Sequence, residues 1–298
     1  MGGGATGIEV AGILSEMKKF VLPNDYPDMP SSLMHIYLIE AGPRLLAGMS
    51  EESSAHAEQF LREMGVNILL NKRVVDYRDH KVVLEDGTEI ATRTFIWVSG
   101  VTGVTIGNLD ASLIGRGGRI KVDSFNRVEG MNNVFAIGDQ CIQLADENYP
   151  NGHPQLAQVA IQQGELLAKN LIRMEKGQEM KPFHYRNLGS MATVGRNRAV
   201  AEFSKVKMQG WFAWVMWLVV HLRSILGVRN KVIVLLNWVW NYFTYDQSMR
   251  MIVYARKAKE IRDREKVEET THWGKELIQE PKQHSPQEIQ QASEQEKK

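Results

Sequence analysis

The chain has 298 residues, with 36 lysines and arginines against 35 aspartates and glutamates, a formal charge of +1. That length carries one large or two ordinary domains with real cores, and near-neutrality excludes a global drive toward nucleic acid or other polyanions. The single cysteine, Cys141, excludes a disulfide framework and an intramolecular dithiol redox centre, and suits a reducing compartment. Residues 1–12 are glycine-rich and lack the basic start and apolar run of a secretory signal.

In chain order, a glycine turn opens into a helix predicted over Thr6–Phe20. Its positions Ile8, Ala11, Gly12 and Ser15 make a small-residue face for close packing. Pro23–Ser32, with three prolines, reads as a loop. A strand over Met34–Ile39 ends at Glu40, and Gly42-Pro43 breaks it. Ser50 caps a helix running to Met64, with Glu51 and Glu52 matched to its positive end. Val66–Leu70 is a short strand. Val74–Ile90 reads as strands broken at Asp79-His80 and at Asp86-Gly87, the second a strong hairpin signal. Phe95–Val98 reads as a buried strand closed by Ser99-Gly100. The alternation predicts a doubly wound α/β fold.

Beyond Val101 the pattern changes. Gly115–Gly118 is a turn, Ile120–Val122 and Val134–Ile137 are predicted strands, and Gln155–Met174 is a helix stopped by Gly177. Short strands are expected near Ser190–Val194 and Ala199–Phe203. Five of the seven tryptophans fall between Trp211 and Trp240. Two aromatic-rich segments there, Trp211–Leu222 and Val232–Phe243, are each shorter than the about 20 apolar residues a spanning helix needs. Arg223, Arg229 and Lys231 separate them. They fit helices lying in a membrane interface, with tryptophans at headgroup level and cations facing anionic lipid; a buried helical pair or dimer contact is the other reading. After Ala255 come about ten charges of each sign with few apolar anchors, the composition of a frayed helix and a disordered tail.

Gly2-x-Gly4-x-x-Gly7 matches the dinucleotide fingerprint. The first glycine allows a tight turn, the second admits a pyrophosphate against the backbone, and the third lets helix and strand pack closely. The helix start at Ala5 and Thr6 then offers free N–H groups to the phosphates. Glu40, at the end of the next strand, suits a ribose 2′-OH and repels a 2′-phosphate, favouring NADH over NADPH. Its separation from Gly7 exceeds the usual spacing of about 20 residues, and the proline-rich loop accounts for the excess. The strand that should feed this turn would lie before Gly2. Its absence leads us to expect an N-terminally truncated piece of a longer protein.

Four segments occur in order: Gly2-Gly3-Gly4-Ala5-Thr6-Gly7-Ile8-Glu9, Phe135-Ala136-Ile137-Gly138-Asp139, Ala157-Gln158-Val159-Ala160-Ile161-Gln162, and Gly189-Ser190-Met191-Ala192-Thr193-Val194-Gly195-Arg196. Together they resemble the type II NADH dehydrogenases, the non-electrogenic NADH:quinone oxidoreductases, from Gly2 to about Tyr254. The resemblance implies two Rossmann-type domains, for NADH and FAD, the first inserted into the second. The expected division is residues 1–100 for NADH, 101–205 for the C-terminal half of the FAD domain, 206–256 for membrane anchoring and 257–298 as the charged tail. The first FAD fingerprint would lie upstream.

The resemblance also implies roles. NADH would meet Gly2, Gly4, Ala5, Thr6, Gly7, Glu9, Glu40 and Gly100. FAD would meet Gly138, Asp139, Ala157, Gln158 and Val159, with Asp139 accepting from the ribityl hydroxyls. Quinone would meet Gln158, Ile161 and Gln162, and Glu9, Gln158 and Gln162 would border the reacting rings. Blander readings stay open: Glu9 as compensation of a helix dipole, Asp139 as a turn cap, and the glutamines as one polar face of an amphipathic helix. His153, His184 and His221 lack metal-ligand spacing and receive no role.

The expected activity is transfer of two electrons from NADH through flavin to a membrane quinone, without proton pumping. The enzyme would sit peripherally on the cytoplasmic face of the inner (plasma) membrane, with a homodimer possible. Two rival readings remain: a soluble NADH-dependent flavin reductase, and an inactive membrane-associated NADH-binding fragment.

Overall fold

The computed structural model describes residues 1–244 except Met29, Thr105 and Lys205. The expectations for residues 245–256 and for the charged tail lie outside the described residues. The chain divides into two compact units, Met1–Leu236 and Asn237–Lys298. All elements below belong to the first unit, except that the last helix runs on into the second.

The glycine turn leads into α1 (Ala5–Glu16), which continues as a π-helical turn over Met17–Val21 and one α-turn, α2 (Leu22–Asp25). The expected loop thus begins three residues later than its first proline, at Tyr26. The buried face of α1 is Gly7, Ile8, Ala11, Gly12 and Ser15, as the small-residue pattern predicts. β1 (Ile36–Ile39) pairs in parallel with β2 (Val66–Leu69), and α3 (Glu51–Glu63) connects them. Ser50 caps α3 by accepting from the Ser53 N–H at 3.3 Å.

β3 (Val74–Arg78), β4 (Lys81–Leu84) and β5 (Glu89–Ala91) form an antiparallel meander. Its turns are at Asp79-His80, both with positive φ, and at Asp86-Gly87. Two predicted strands do not form. Phe95–Val98 joins no ladder, and Trp97 is 58% exposed. Val134–Ile137 makes only an isolated bridge, Arg127 to Phe135. A strand is defined by its neighbour, and neither segment has a full partner strand beside it.

In the second half, β6 (Ile120–Val122) pairs in parallel with β7 (Cys141–Gln143). The long helix α4 (Ala157–Glu175) follows. A sheet of β8 (Ser190–Thr193), β9 (Ala199–Phe203) and β10 (Val206–Gln209), the last unforeseen, precedes α5 (Gly210–Ser224) and α6 (Val228–Thr244).

The main core joins α1, β1, α3 and β2 to Ala192, Val194 and Val200 of the later sheet. The two halves are also tied by charge. The Glu202 carboxylate accepts from the N–H of Ser50 at 3.0 Å and from its hydroxyl. Burial alone would raise the Glu202 carboxyl, but hydrogen bonds from Ser50 and Ser53 outweigh it and hold the group below the usual carboxylate range. A carboxylate at this helix start also suits the α3 dipole. Ala213 of α5 is fully buried against Ala199 and Ala201, which fixes that helix on the sheet.

Candidate functional site

The glycine turn is built as the fingerprint requires. Gly2 donates its N–H to Ile39 O at 2.9 Å, and Gly3 O accepts from Leu46 N at 2.8 Å. A Cβ on Gly7 would lie 1.8 Å from Gly2 O, so only glycine lets the helix start this close to the turn. Gly4, Ala5 and Thr6 are exposed, and Gly4 has no side-chain cap to offer the first N–H groups of α1. The helix start therefore presents unsatisfied donors and a partial positive charge to whatever lies in front of it.

Glu40 stands beside this turn. Its Oε2 accepts from Gly3 N at 2.5 Å and its Oε1 from Gly42 N at 2.7 Å. The two amides aim the carboxylate, and each oxygen keeps a lone pair for a further donor. The predicted distant partner of the glycine motif is thus brought against it, across the proline-containing segment. Gly100, at φ +98°, is exposed on the same chain segment as Val98, whose N–H binds Met1 O at 2.9 Å.

Glu9, two residues beyond the last glycine, points the other way. Its Oε1 lies 3.4 Å from both the N–H and the hydroxyl of Thr193 on β8. The Glu16 carboxylate accepts from the Arg196 N–H, so one face of α1 carries two acids that dock the β8 end.

Gly138-Asp139 forms a short 3-10 turn before β7. Gly138, at φ +67°, donates its N–H to Gln163 Oε1 at 2.7 Å. Gln163 is 1% exposed and was not foreseen from sequence, where nothing set it apart from its neighbour Gln162. Asp139 is exposed, and Arg119 lies close enough to interact with it electrostatically. The start of α4 is uncapped at Leu156, and Ala157 is exposed, so its first N–H groups are open to a polar or anionic group; Val159 behind them is core. Cys141 is buried, and burial pushes its thiol up, away from the reactive thiolate.

Gln158 and Gln162 reach the segment that returns past α4. Gln158 Nε2 donates to Gly189 O and its Oε1 accepts from Leu188 N, both at 3.0 Å. Gln162 Nε2 donates to Arg186 O at 2.9 Å and its Oε1 accepts from Arg186 N at 3.1 Å. Both carboxamides are engaged by main chain. Ile161, between them in sequence, is 59% exposed.

His153, given no role from sequence, is buried and its Nε2 lies 3.0 Å from Asp146 Oδ2, among Tyr149, Phe183 and Tyr185. Arg119 fastens the same loop, donating to Cys141 O at 2.6 Å and His153 O at 3.1 Å. Among the described residues no group of three His, Cys, Asp or Glu side chains is placed to share a metal ion.

Two family models match. One, described as pyridine nucleotide-disulphide oxidoreductase, covers residues 1–164, and one described as NDH2 C-terminal domain covers residues 187–245. The chain is 35% identical over 251 residues to the type II NADH:quinone oxidoreductase NdhA of Mycobacterium tuberculosis, covering 80% of this chain and 52% of that protein. It is 32% identical over 260 residues to the mitochondrial internal alternative NAD(P)H-ubiquinone oxidoreductase A1 of Arabidopsis thaliana, covering 81% and 50%. The chain spans about half the length of the curated relatives it matches. The fold is similar to NDH2 from Plasmodium falciparum solved in complex with NADH, with a TM-score of 0.74 at 19% identity over 84% of this chain and 66% of that one.

Proposed function

Because the chain belongs to the pyridine nucleotide-disulphide oxidoreductase family, in its type II NADH dehydrogenase branch, we propose that it supplies three parts of an NADH:quinone oxidoreductase. These are the NADH-binding part (residues 1–100), the C-terminal half of the FAD-binding part (101–205) and a membrane-contacting part (206–256). The observation that carries this is the open start of α1 with the Glu40 carboxylate fixed beside Gly3. The pair offers donors for a pyrophosphate and an acceptor for a ribose diol, which together describe a dinucleotide.

The residues also fit a flavin. Gly138-Asp139 offers a close backbone approach and a carboxylate, and the uncapped start of α4 at Ala157 offers N–H donors. A bound flavin would supply the two-electron relay between nicotinamide and quinone, while the protein groups position and enclose it. Glu9 is the acid of α1 nearest the β8 end, where Thr193 holds its carboxylate. Ile161, exposed on α4 between the two engaged glutamines, is the apolar contact we assign to a quinone, with the edges of the Gln158 and Gln162 amides beside it.

No helix among the described residues is long and apolar enough to cross a membrane. α5 instead packs Ala213 inward and exposes Trp211, Phe212 and Val219. A lipid-soluble substrate gives such a helix a reason to lie in the interface, peripheral to the bilayer, on the cytoplasmic face. The possible homodimer is a further part of this reading.

The test is a titration of the purified chain with NADH and NADPH by calorimetry, with the absorption spectrum recorded for flavin. The reading expects NADH to bind at least about tenfold more tightly than NADPH, and Glu40→Gln to erase most of that ratio. Equal affinities for the two nucleotides, or no binding of either, would overturn it.

A further inference from the structure

Arg44 lies half-buried four residues after Glu40, and its hydrogen bonds go to main chain. Nη1 donates to Met49 O at 2.8 Å and to Leu46 O at 3.4 Å, and Nη2 donates to Ala47 O at 2.8 Å. Three carbonyls thus converge on one guanidinium. Their negative ends repel one another, and a planar fork of donors is the side chain suited to hold them together.

The backbone held in this way is strained. Leu46 has φ +47°, a left-handed conformation that disfavours any residue with a Cβ. It persists only where neighbouring groups impose it. Leu46 O accepts from Met49 N at 2.8 Å as well as from Arg44, and the Leu46 side chain, 4% exposed, is part of the main core. The left-handed turn brings the Leu46 N–H to Gly3 O, 2.8 Å away. Gly3 is then held at both polar atoms, because its own N–H donates to Glu40 Oε2 at 2.5 Å. Its Cα is closed in as well: a Cβ there would lie 2.8 Å from Leu45 Cδ2 and 2.9 Å from Glu40 Cγ. The Ser54 hydroxyl donates to Leu45 O at 2.6 Å and ties the same segment to α3.

We propose that Arg44 is the positioning residue of the glycine turn. It keeps Leu46 left-handed, Leu46 fixes the Gly3 carbonyl, and Gly3 keeps the Glu40 carboxylate in place. The consequence for a nucleotide rests on the dinucleotide reading proposed above; the consequence for the turn does not. Loosening Gly3 leaves Glu40 with the Gly42 N–H alone of its two amide donors. A ribose diol then loses a fixed acceptor, whereas a 2′-phosphate meets a carboxylate free to swing away. Loss of Arg44 therefore weakens NADH more than NADPH. A role in stability alone would leave the ratio of the two affinities unchanged.

The experiment compares the chain with Arg44→Met, which removes the donors, and Arg44→Lys, which keeps the charge but not the fork. In Arg44→Met, hydrogen exchange of the Leu46 amide should quicken about tenfold or more beyond any change at Ile68 of β2. By calorimetry, the ratio of NADH to NADPH affinity should fall about threefold or more. Arg44→Lys should fall between Arg44→Met and the parent in both. Exchange at Leu46 that changes no more than at Ile68, or a freed Leu46 amide with an unchanged affinity ratio, overturns the proposal. Should Arg44→Met fail to fold, Arg44→Lys is judged by the same two criteria against the parent. If the parent binds neither nucleotide, the proposed function falls, and exchange at Leu46 alone decides whether Arg44 holds the turn.

Discussion

The side chain of Gln162 and the main chain of Arg186 exchange two hydrogen bonds, one in each direction, so that a carboxamide stands in for a neighbouring strand. Asn170 does the same with Lys181, its Oδ1 accepting at 2.9 Å and its Nδ2 donating at 2.8 Å. Gln158 clasps Leu188 and Gly189. The three amides lie four and eight residues apart on α4, spread over about a third of its circumference. They hold the returning segment 181–189 antiparallel to it, although that segment has no secondary structure of its own.

Removing one of these amides strands main-chain groups in proportion to burial. Asn170 is 1% exposed, so Asn170→Ala should cost about 1–3 kcal/mol. Gln162→Ala, whose bonds are exposed to water, should cost no more than about 1 kcal/mol. Urea denaturation of the two variants checks the order. Equal costs would mean that the ladder does not hold the segment. Hydrogen exchange supplies the local readout, with the Lys181 amide freed in the first variant and the Arg186 amide in the second.

Gly7→Ala places a methyl 1.8 Å from Gly2 O, against backbone that cannot yield as a flexible side chain does. The start of α1 must then move off the turn. Overpacking of this kind costs about 1–3 kcal/mol or more, and NADH affinity should fall at least tenfold with it. Gly4→Ala is the control for melting alone, because nothing stands within 4 Å of its added Cβ. A Gly7→Ala protein that melts and binds NADH like the parent would refute the close approach.

What was legible in the sequence was local. The glycine turn, the Asp86-Gly87 hairpin and the Ser50 cap each act through residues a few positions apart, so their chemistry is written in order. Phe95–Val98 and Val134–Ile137 have the composition of strands, but a ladder needs a neighbour, and composition carries no information about whether one is present. The segment 181–189 shows neither helical nor strand periodicity, because side chains of α4 order it from outside. Gln158 and Gln162 were legible as a shared face; that the face would be spent on main chain depended on where the chain returns. The burial of His153 was hidden for the same reason, since Asp146, Phe183 and Tyr185 come from two different loops.

The His153–Asp146 pair predicts a response to acid. Burial alone would raise the Asp146 carboxyl, but hydrogen bonds from His153, Asn148 N–H and Tyr185 N–H outweigh it and hold the group below the usual carboxylate range. A carboxyl lowered in the folded state adds stability above its unfolded value of 3.8, and that stability fades as pH falls through the lowered folded value. Asp146→Asn should therefore destabilise most at neutral pH, with the gap to the parent closing below about pH 4. Urea midpoints measured from pH 7 to pH 3 check this; a gap constant across that range would show that the carboxylate charge contributes nothing.

The outer face of α5 should govern attachment to lipid. Phe212 is 70% exposed and Trp211 49%, whereas Ala213 between them and the rest of the helix is closed against β9. Burying a phenylalanine in the interface contributes up to about 1.5–3 kcal/mol, so Phe212→Glu should weaken partitioning into vesicles by tenfold or more. Because the side chain does not pack on the sheet, Tm in solution should stay within about 1–2 °C of the parent. Cosedimentation with vesicles of mixed zwitterionic and anionic lipid reads the first effect. If Phe212→Glu binds vesicles as the parent does, α5 does not lie in the interface, and its exposed aromatics must be covered by protein instead.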